Sequence, residues 1–168
     1  GGLGTGTSQD MTTIKNFVVG SGGSGDMIDI SLAAFSNLIR SADGDAPKPG
    51  AAVFSNLVGP GGTITVDDAT VIRIDSPTGF VGAADLAAEL LANPITFAAP
   101  QTGEFNHFLV AYQDMGGNVR IADMSIQSSG AAFTDTAGGS TLAISDLAQL
   151  QGVTLTSLQP SNINVLAG

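Results

Sequence analysis

The chain has 168 residues, 43% of them apolar, with 23 glycines, no cysteine, and 15 acidic against 5 basic side chains, a net charge of −10. That is enough chain and enough apolar content for about one domain with a real core, which excludes a disordered tail. The charge repels nucleic acid and anionic membranes and attracts cations. Lack of cysteine excludes disulfides and thiolate metal sites, and no apolar window of about 18 residues offers a transmembrane helix. So many glycines predict many turns, hence many short strands.

From the N-terminus, GGLGTGTSQ leads into two short apolar runs at 14–19 and 27–30, joined by GSGGSGD. The glycines of the joint permit a tight chain reversal. Asp26 and Asp29 frame Met27 and Ile28; in an extended segment Asp26 and Ile28 face one way, Met27 and Asp29 the other. Carboxylates beside a glycine loop suit a hard, oxygen-seeking cation such as calcium.

SLAAFSNLIRS, at 31–41, predicts a short helix or helical turn over 31–40, with Ser31 as cap and Leu32, Phe35, Leu38 and Ile39 on one face. ADGDAPKPG then reads as a surface loop, where Asp43 and Asp45, two apart around Gly44, offer a cation two carboxylates or, on the favoured reading, are solvated turn residues. FSNL recurs at 35–38 and 54–57, a weak internal duplication or a chance recurrence. Beyond the GPGG turn, the segments at 63–66 and 70–74 alternate around Asp67 and Asp68 and predict a hairpin. VGAADLAAELLANP predicts a helix over 83–92, with Asp85 and Glu89 one turn apart and Pro94 ending it.

ITFAAP reads as a strand. A second hairpin follows, its arms at 105–112 and 119–126 joined by DMGGN. In its first arm Phe105, His107, Leu109 and Ala111 face one side, and Asn106, Phe108, Val110 and Tyr112 the other. Both faces are largely apolar, which places this strand centrally in its sheet. SSGAAFTDTAGGS is a polar loop, and 144–150 predicts a third helical turn with Ser145 as a possible cap. The last segment alternates through Val153, Leu155, Ile163 and Val165 around a break at Pro160. The fold class is therefore mainly β, as the end or cap of a β-roll or as a sandwich-like domain, with two or three short helices. The predicted core is Phe17, Ile28, Ile30, Phe35, Phe54, Ile72, Ile74, Leu86, Leu90, Phe97, Leu109, Val110, Ile121 and Leu155.

TTIKNF followed by the glycine-rich turn and GDMIDIS resembles the end of repeats-in-toxin (RTX) proteins, including the C-terminal domain of serralysin-type proteases. GGLGTGTSQ is similar to one worn copy of that family's calcium nonapeptide, with Gly6 at the aspartate position and Ser8 at the apolar one. The resemblance implies that residues 1–32 are a degenerate repeat with capping strands, and that 33–168 form a β-rich C-terminal domain in one compact unit with them. It implies Ca2+ as the cofactor, with Asp10, Asp26 and Asp29 as metal ligands. It further implies an upstream β-roll and a type I exporter as partners, with the export signal at the apolar C-terminus of a secreted, extracellular protein. The chain does not begin with Met, and on this reading it is a fragment whose upstream part is absent.

The sequence offers little chemistry. His107 is the single histidine, and on a mostly apolar strand it reads as a packed or edge residue. No Gly-x-Ser-x-Gly elbow surrounds a serine, zinc would want several His or Cys ligands, and no Gly-Lys-Ser/Thr follows the glycine run. Asp67 and Asp68 lack the flanking aromatics of a glycosidase. A non-catalytic end module is expected; the alternative is a surface-layer or adhesin domain that acts by self-association at the cell surface.

Overall fold

The computed structural model describes residues 11–21, 24–35, 39–42, 45–97, 106–127 and 141–167. In chain order the strands are β1 (Thr12–Ile14), β2 (Ile28–Ser31), β3 (Gly50–Ala51), β4 (Phe54–Val58), β5 (Thr63–Ile64) and β6 (Val71–Ile74). The helix α1 (Ala83–Ala92) comes next, then β7 (Thr96–Phe97), β8 (Asn106–Gln113), β9 (Val119–Gln127), β10 (Thr141–Leu150) and β11 (Ile163–Leu166). Among the described residues they make a six-stranded sheet in the order β1-β10-β9-β8-β6-β4, a three-stranded sheet in the order β2-β11-β3, and the pair β5-β7. The protein is mainly β, as the alternating pattern predicts. No helix among the described residues is long and apolar enough to cross a membrane.

The six-stranded sheet is buried on both faces. On one side Leu109, Ala111, Val119, Ile121 and Leu150 meet Ile30, Ile163 and Val165 of the three-stranded sheet. On the other, Ile72, Ile74, Phe108, Val110, Tyr112 and Met124 meet Leu86 and Leu90 of α1, together with Ile64 and Phe80. The two phases read in 106–112 are thus both core, which is why this strand shows little polar alternation. Of the predicted core, Ile28 and Phe54 are only partly buried and pack against its margin, while the side chains of Phe35 and Phe97 lie outside the described set.

Helix α1 lies where its Ala- and Leu-rich composition places it, and the Asp85 carboxylate accepts the Val81 amide at 2.9 Å just before the first turn. Of the other two predicted elements, the one over 31–40 is a single helical turn and the one over 144–150 is corrected. Over 31–40 the described chain forms a 3-10 turn at Leu32–Phe35, then Ile39 makes a lone parallel bridge to His107; 36–38 lie outside the described residues, and with them most of the first FSNL. The 144–150 segment is the second half of β10, not a helix. Ile144, Leu147 and Leu150 carry a helical three-residue spacing because the ladder with β9 slips between Asp146 and Ala148. Leu147 is the extra residue of a β-bulge, and one inserted residue turns every following side chain to the opposite face. Ile144 therefore packs on the α1 side, while Ala148 and Leu150 pack beneath the three-stranded sheet.

The second predicted hairpin is present as β8–β9, paired antiparallel from Asn106↔Ile126 to Gln113↔Val119. The first is not. Asp67 and Asp68 do turn the chain, but β5 pairs in parallel with β7, and β6 lies parallel between β4 and β8. Val71, Ile72 and Ile74 are each at most 1% exposed, so β6 is a central strand reached and left by crossovers. Such burial on both faces suits a parallel strand, not one arm of a surface hairpin. Residues 98–105 and 128–140 lie outside the described residues.

Candidate docking edge and the predicted metal residues

β1 and β2 are consecutive in sequence yet belong to different sheets, and each is the outermost strand of its own. β1 runs parallel to β10 with Thr12 beside Ala148 and Ile14 beside Leu150. β2 runs parallel to β11 with Ile28 beside Ile163 and Ser31 beside Leu166. The path from Ile14 to Ile28 is thus shadowed by the path from Leu150 to Ile163, one residue shorter. The two stretches are neighbouring rungs: strand, turn, strand, with the first strand in one sheet and the second in the other. Phe17, Ile30, Leu150, Val153, Leu155, Leu158, Ile163 and Val165 fill the space between the sheets.

Among the described residues, the outer edge of the first rung is open. The Ile14 carbonyl accepts the Gln151 amide at 3.0 Å, so Ile14 faces β10. The amide and carbonyl of one strand residue share a side, and neighbours alternate, so Thr13 directs both groups away from the sheet. In β11, the Ile163 carbonyl accepts the Ala52 amide and so faces β3. Asn164 then faces β2, Ile28 and Ile30 face β11, and Asp29 directs its amide and carbonyl outward. Among the described residues no strand pairs with these edges. Val18 and Met27, 55% and 57% exposed, flank the turn at this end.

The far edges are covered. At β4, Asn56 uses its side-chain amide as a further rung of ladder, giving Nδ2 to the Thr63 carbonyl at 3.0 Å and taking the Thr65 amide on Oδ1 at 2.9 Å. Arg73 gives Nε and Nη2 to the Ser55 carbonyl at 3.0 and 2.8 Å. β3 has two residues and directly follows Pro49. Short strands, proline and covering segments are how sheets stop accepting partners.

The turn between β1 and β2 closes like a small ladder. The Asp26 amide donates to the Val18 carbonyl at 2.8 Å, and the Val18 amide donates to Asp26 Oδ2 at 2.8 Å. Gly20 and Gly25 lie back to back; a Cβ on Gly25 would stand 2.5 Å from the Gly20 nitrogen and 2.6 Å from the Val18 oxygen. The second rung holds the turn, with Ser161 Oγ donating to the Gly20 carbonyl and Asn162 Nδ2 to the Asp26 carbonyl, each at 2.8 Å.

These contacts locate the predicted metal ligands. Asp10 lies outside the described residues. Asp26 uses one carboxylate oxygen to brace the turn, and Asp29 Oδ1 accepts Asn164 Nδ2 at 2.9 Å. Among the described residues no three His, Cys, Asp or Glu side chains gather as a metal-binding group. Asp43, with Asp45 the other carboxylate pair of the sequence reading, also lies outside the described set.

Two charged clusters escaped the sequence. Asp114 stands at the head of the β8–β9 turn, 5% exposed, and accepts the Gly116 and Asn118 amides on Oδ1. Its Oδ2 accepts Arg120 Nε at 3.2 Å and Gln149 Nε2 at 2.6 Å. Arg120 Nη1 reaches Asp146 Oδ2 at 2.7 Å, and the Tyr112 hydroxyl donates to Asp146 Oδ1 at 2.6 Å. Burial pushes the Asp114 carboxyl up, but the hydrogen bonds from Asn118, Gln149 and Arg120 outweigh it and hold the group below the usual carboxylate value. Burial, then the Asp146 hydrogen bond and charge, push the Tyr112 phenol far up. The second cluster is His107, whose Nδ1 lies 3.0 and 2.9 Å from the two Asp123 oxygens. Burial raises the Asp123 carboxyl, and His107 offsets part of that rise. An Asp opening a glycine-rich turn was the one available signal for the first cluster; the rest are contacts between residues far apart in the chain.

Comparisons with protein-family models, with curated proteins and with solved structures found no match.

Proposed function

We propose that this chain is a non-catalytic end module of a secreted, calcium-dependent protein, closing one end of an upstream β-roll. The observation that carries the reading is the first rung: two consecutive strands, one in each of two stacked sheets, whose outward backbone groups have no strand partner among the described residues, opposite an end whose edges are covered. A roll is built of such rungs, each resting in parallel on the next, and its last rung needs a partner that does not itself expose an edge. The buried acids support the non-catalytic part of the reading, because Asp114 and Asp146 are engaged by Arg120, Tyr112, Gln149 and backbone amides. Calcium belongs to the same proposal, with Asp10, Asp26 and Asp29 as ligands and carbonyls of the glycine loop completing the set of six to eight oxygens. So does export through a type I exporter. Val153, Leu155, Ile163 and Val165 are buried in the folded protein, so a C-terminal signal there is read before folding.

The test joins a calcium-dependent β-roll block to Gly1 and follows its folding as calcium is added. With this domain attached the roll folds at lower calcium and more cooperatively than alone. Thr13→Pro removes an amide that points away from β10, so the domain itself stays folded and the advantage disappears. A roll that folds identically with the native domain, with Thr13→Pro and alone sinks the proposal.

The second reading, self-association as a surface-layer or adhesin domain, draws on the same open edge and on the exposed Val18 and Met27. Sedimentation of the isolated domain distinguishes the two: a species that grows with protein concentration and is lost in Thr13→Pro favours assembly between copies.

A further inference from the structure

We infer that β11 is a closing strand, and that the slot it fills between β2 and β3 is a binding site for a strand of this sequence supplied from outside the chain. This goes beyond the cap reading and does not depend on it. β11 is the central strand of its sheet, parallel to β2 and antiparallel to β3, and those two strands have no ladder with each other. Among the described residues, the backbone ladder that ties β2 to the molecule runs through β11. The approach to the strand is also anchored: Asn162 is 0% exposed, gives Nδ2 to the Asp26 carbonyl and takes the Gln159 amide on Oδ1 at 3.0 Å. Ile163 and Val165, 0% and 1% exposed, point into the core between the sheets.

The large sheet has no such dependence. β6 pairs with β8 and β8 with β9, and their α1-facing side is filled without any residue after Leu150, while Ile163 and Val165 cover only part of the other side. The molecule therefore divides into a sheet whose ladders close without the last strand and a sheet that the last strand completes. A slot flanked by two strand edges and floored by apolar side chains offers main-chain hydrogen bonds on both sides and alternate side-chain pockets, the physics of strand addition. The ligand is an extended peptide with small branched apolar residues at every second position, as in INVL. The consequence for the open end is direct: β2, half of the exposed first rung, is in place only when the slot is occupied.

The experiment uses the full chain with a protease recognition sequence inserted between Gln151 and Gly152, an exposed turn. After cleavage the fragment 152–168 is expected to remain bound. Its removal in mild denaturant should speed amide exchange at Ile28 and Ile30 by about a hundredfold or more while Leu109 and Val110 stay protected, since protection reports local opening. Adding the synthetic 152–168 peptide should restore protection. Retained protection at Ile28 and Ile30 without the fragment, loss at Leu109 and Val110 along with them, or no recovery with the peptide each overturns the inference. Asn162→Ala in the uncut chain gives an independent reading: exchange at Ile28 and Ile30 should rise roughly tenfold or more, as expected when a buried polar partner is lost. An equal rise at Leu109 would make Asn162 a general core residue and defeat the assignment.

Discussion

Two residues carry more of the structure than their side-chain size suggests. Asp114 gathers the turn of the β8–β9 hairpin, Arg120 and Gln149 onto one nearly buried carboxylate. Asp114→Asn keeps the shape but loses the charge and part of the acceptor capacity, and should cost about 2–3 kcal/mol in urea unfolding. The pH dependence follows from the direction of the shift. A carboxyl held below its unfolded value contributes stability that is complete above the ordinary carboxylate range, near about 3.9, and is lost as pH falls through the lower folded-state value. Asp123 has the opposite sign: its raised carboxyl favours folding in acid, and that contribution fades as pH climbs through the raised value. Wild type and Asp114→Asn should therefore converge in stability in acid and separate toward neutrality; a constant gap across pH would rule out the charge as the source. Gly25 acts through space alone. Gly25→Ala puts a methyl 2.5 Å from the Gly20 backbone, which no rotamer relieves, and should lower stability by about 2 kcal/mol or more and loosen Ile28–Ser31. A thermal midpoint unchanged by Gly25→Ala would mean that the turn adopts another path.

At the scale of elements, the bulge in β10 has the largest leverage. The even-numbered residues Leu142 and Ile144 face α1, and Ala148 and Leu150 face the other sheet, because Leu147 is one residue too many for the ladder. Inserting one alanine between Ala148 and Gln149, with the ladder otherwise unbroken, would turn Leu150, 0% exposed, and Gln149 to each other's sides. The expected loss is about 3 kcal/mol or more, the range of a buried large-to-small change with a stranded polar group added. An insertion variant as stable as the parent would show that β10 absorbs the extra residue in a second bulge. The same bulge lets one strand serve two purposes: Asp146 meets Arg120 and Tyr112 on one side, and Ala148–Leu150 support β1 on the other.

Across the whole molecule, the ends of the chain meet: β1 lies on β10 and β2 on β11. Removal of 153–168 therefore strips the central strand from a sheet, and the isolated domain cannot keep an intact first rung without it. A net charge of −10 opposes that compact state when cations are scarce. Calcium bound only by the folded chain should then raise the thermal midpoint by about 5–10 °C at a hundred times its dissociation constant, by mass action. Coincident midpoints with calcium and with chelator would leave Asp26 and Asp29 as bracing residues of the turn and of β2.

Local patterns were enough wherever one element decides its own form. Helix α1 follows from a run of Ala and Leu ended by proline, the β8–β9 hairpin from two apolar arms around DMGGN, and the tight turn at 20–25 from its glycines. The two burial phases of 106–112 were legible because an α-carbon alternates faces whatever its partners are. Partners themselves were not legible. That Val71–Ile74 lies between two parallel strands, that Thr63–Ile64 pairs with Thr96–Phe97, and that 144–150 is bulged strand depend on contacts between distant parts of the chain. The open rung belongs to the same class: residues 12–31 contain its strands and its turn, but only pairing with 148–166 makes one edge inner and the other outer. A short apolar run specifies which side chains seek the core; which strand it lies beside is decided by the packing of the whole, since many pairings bury the same residues and only one buries them all together.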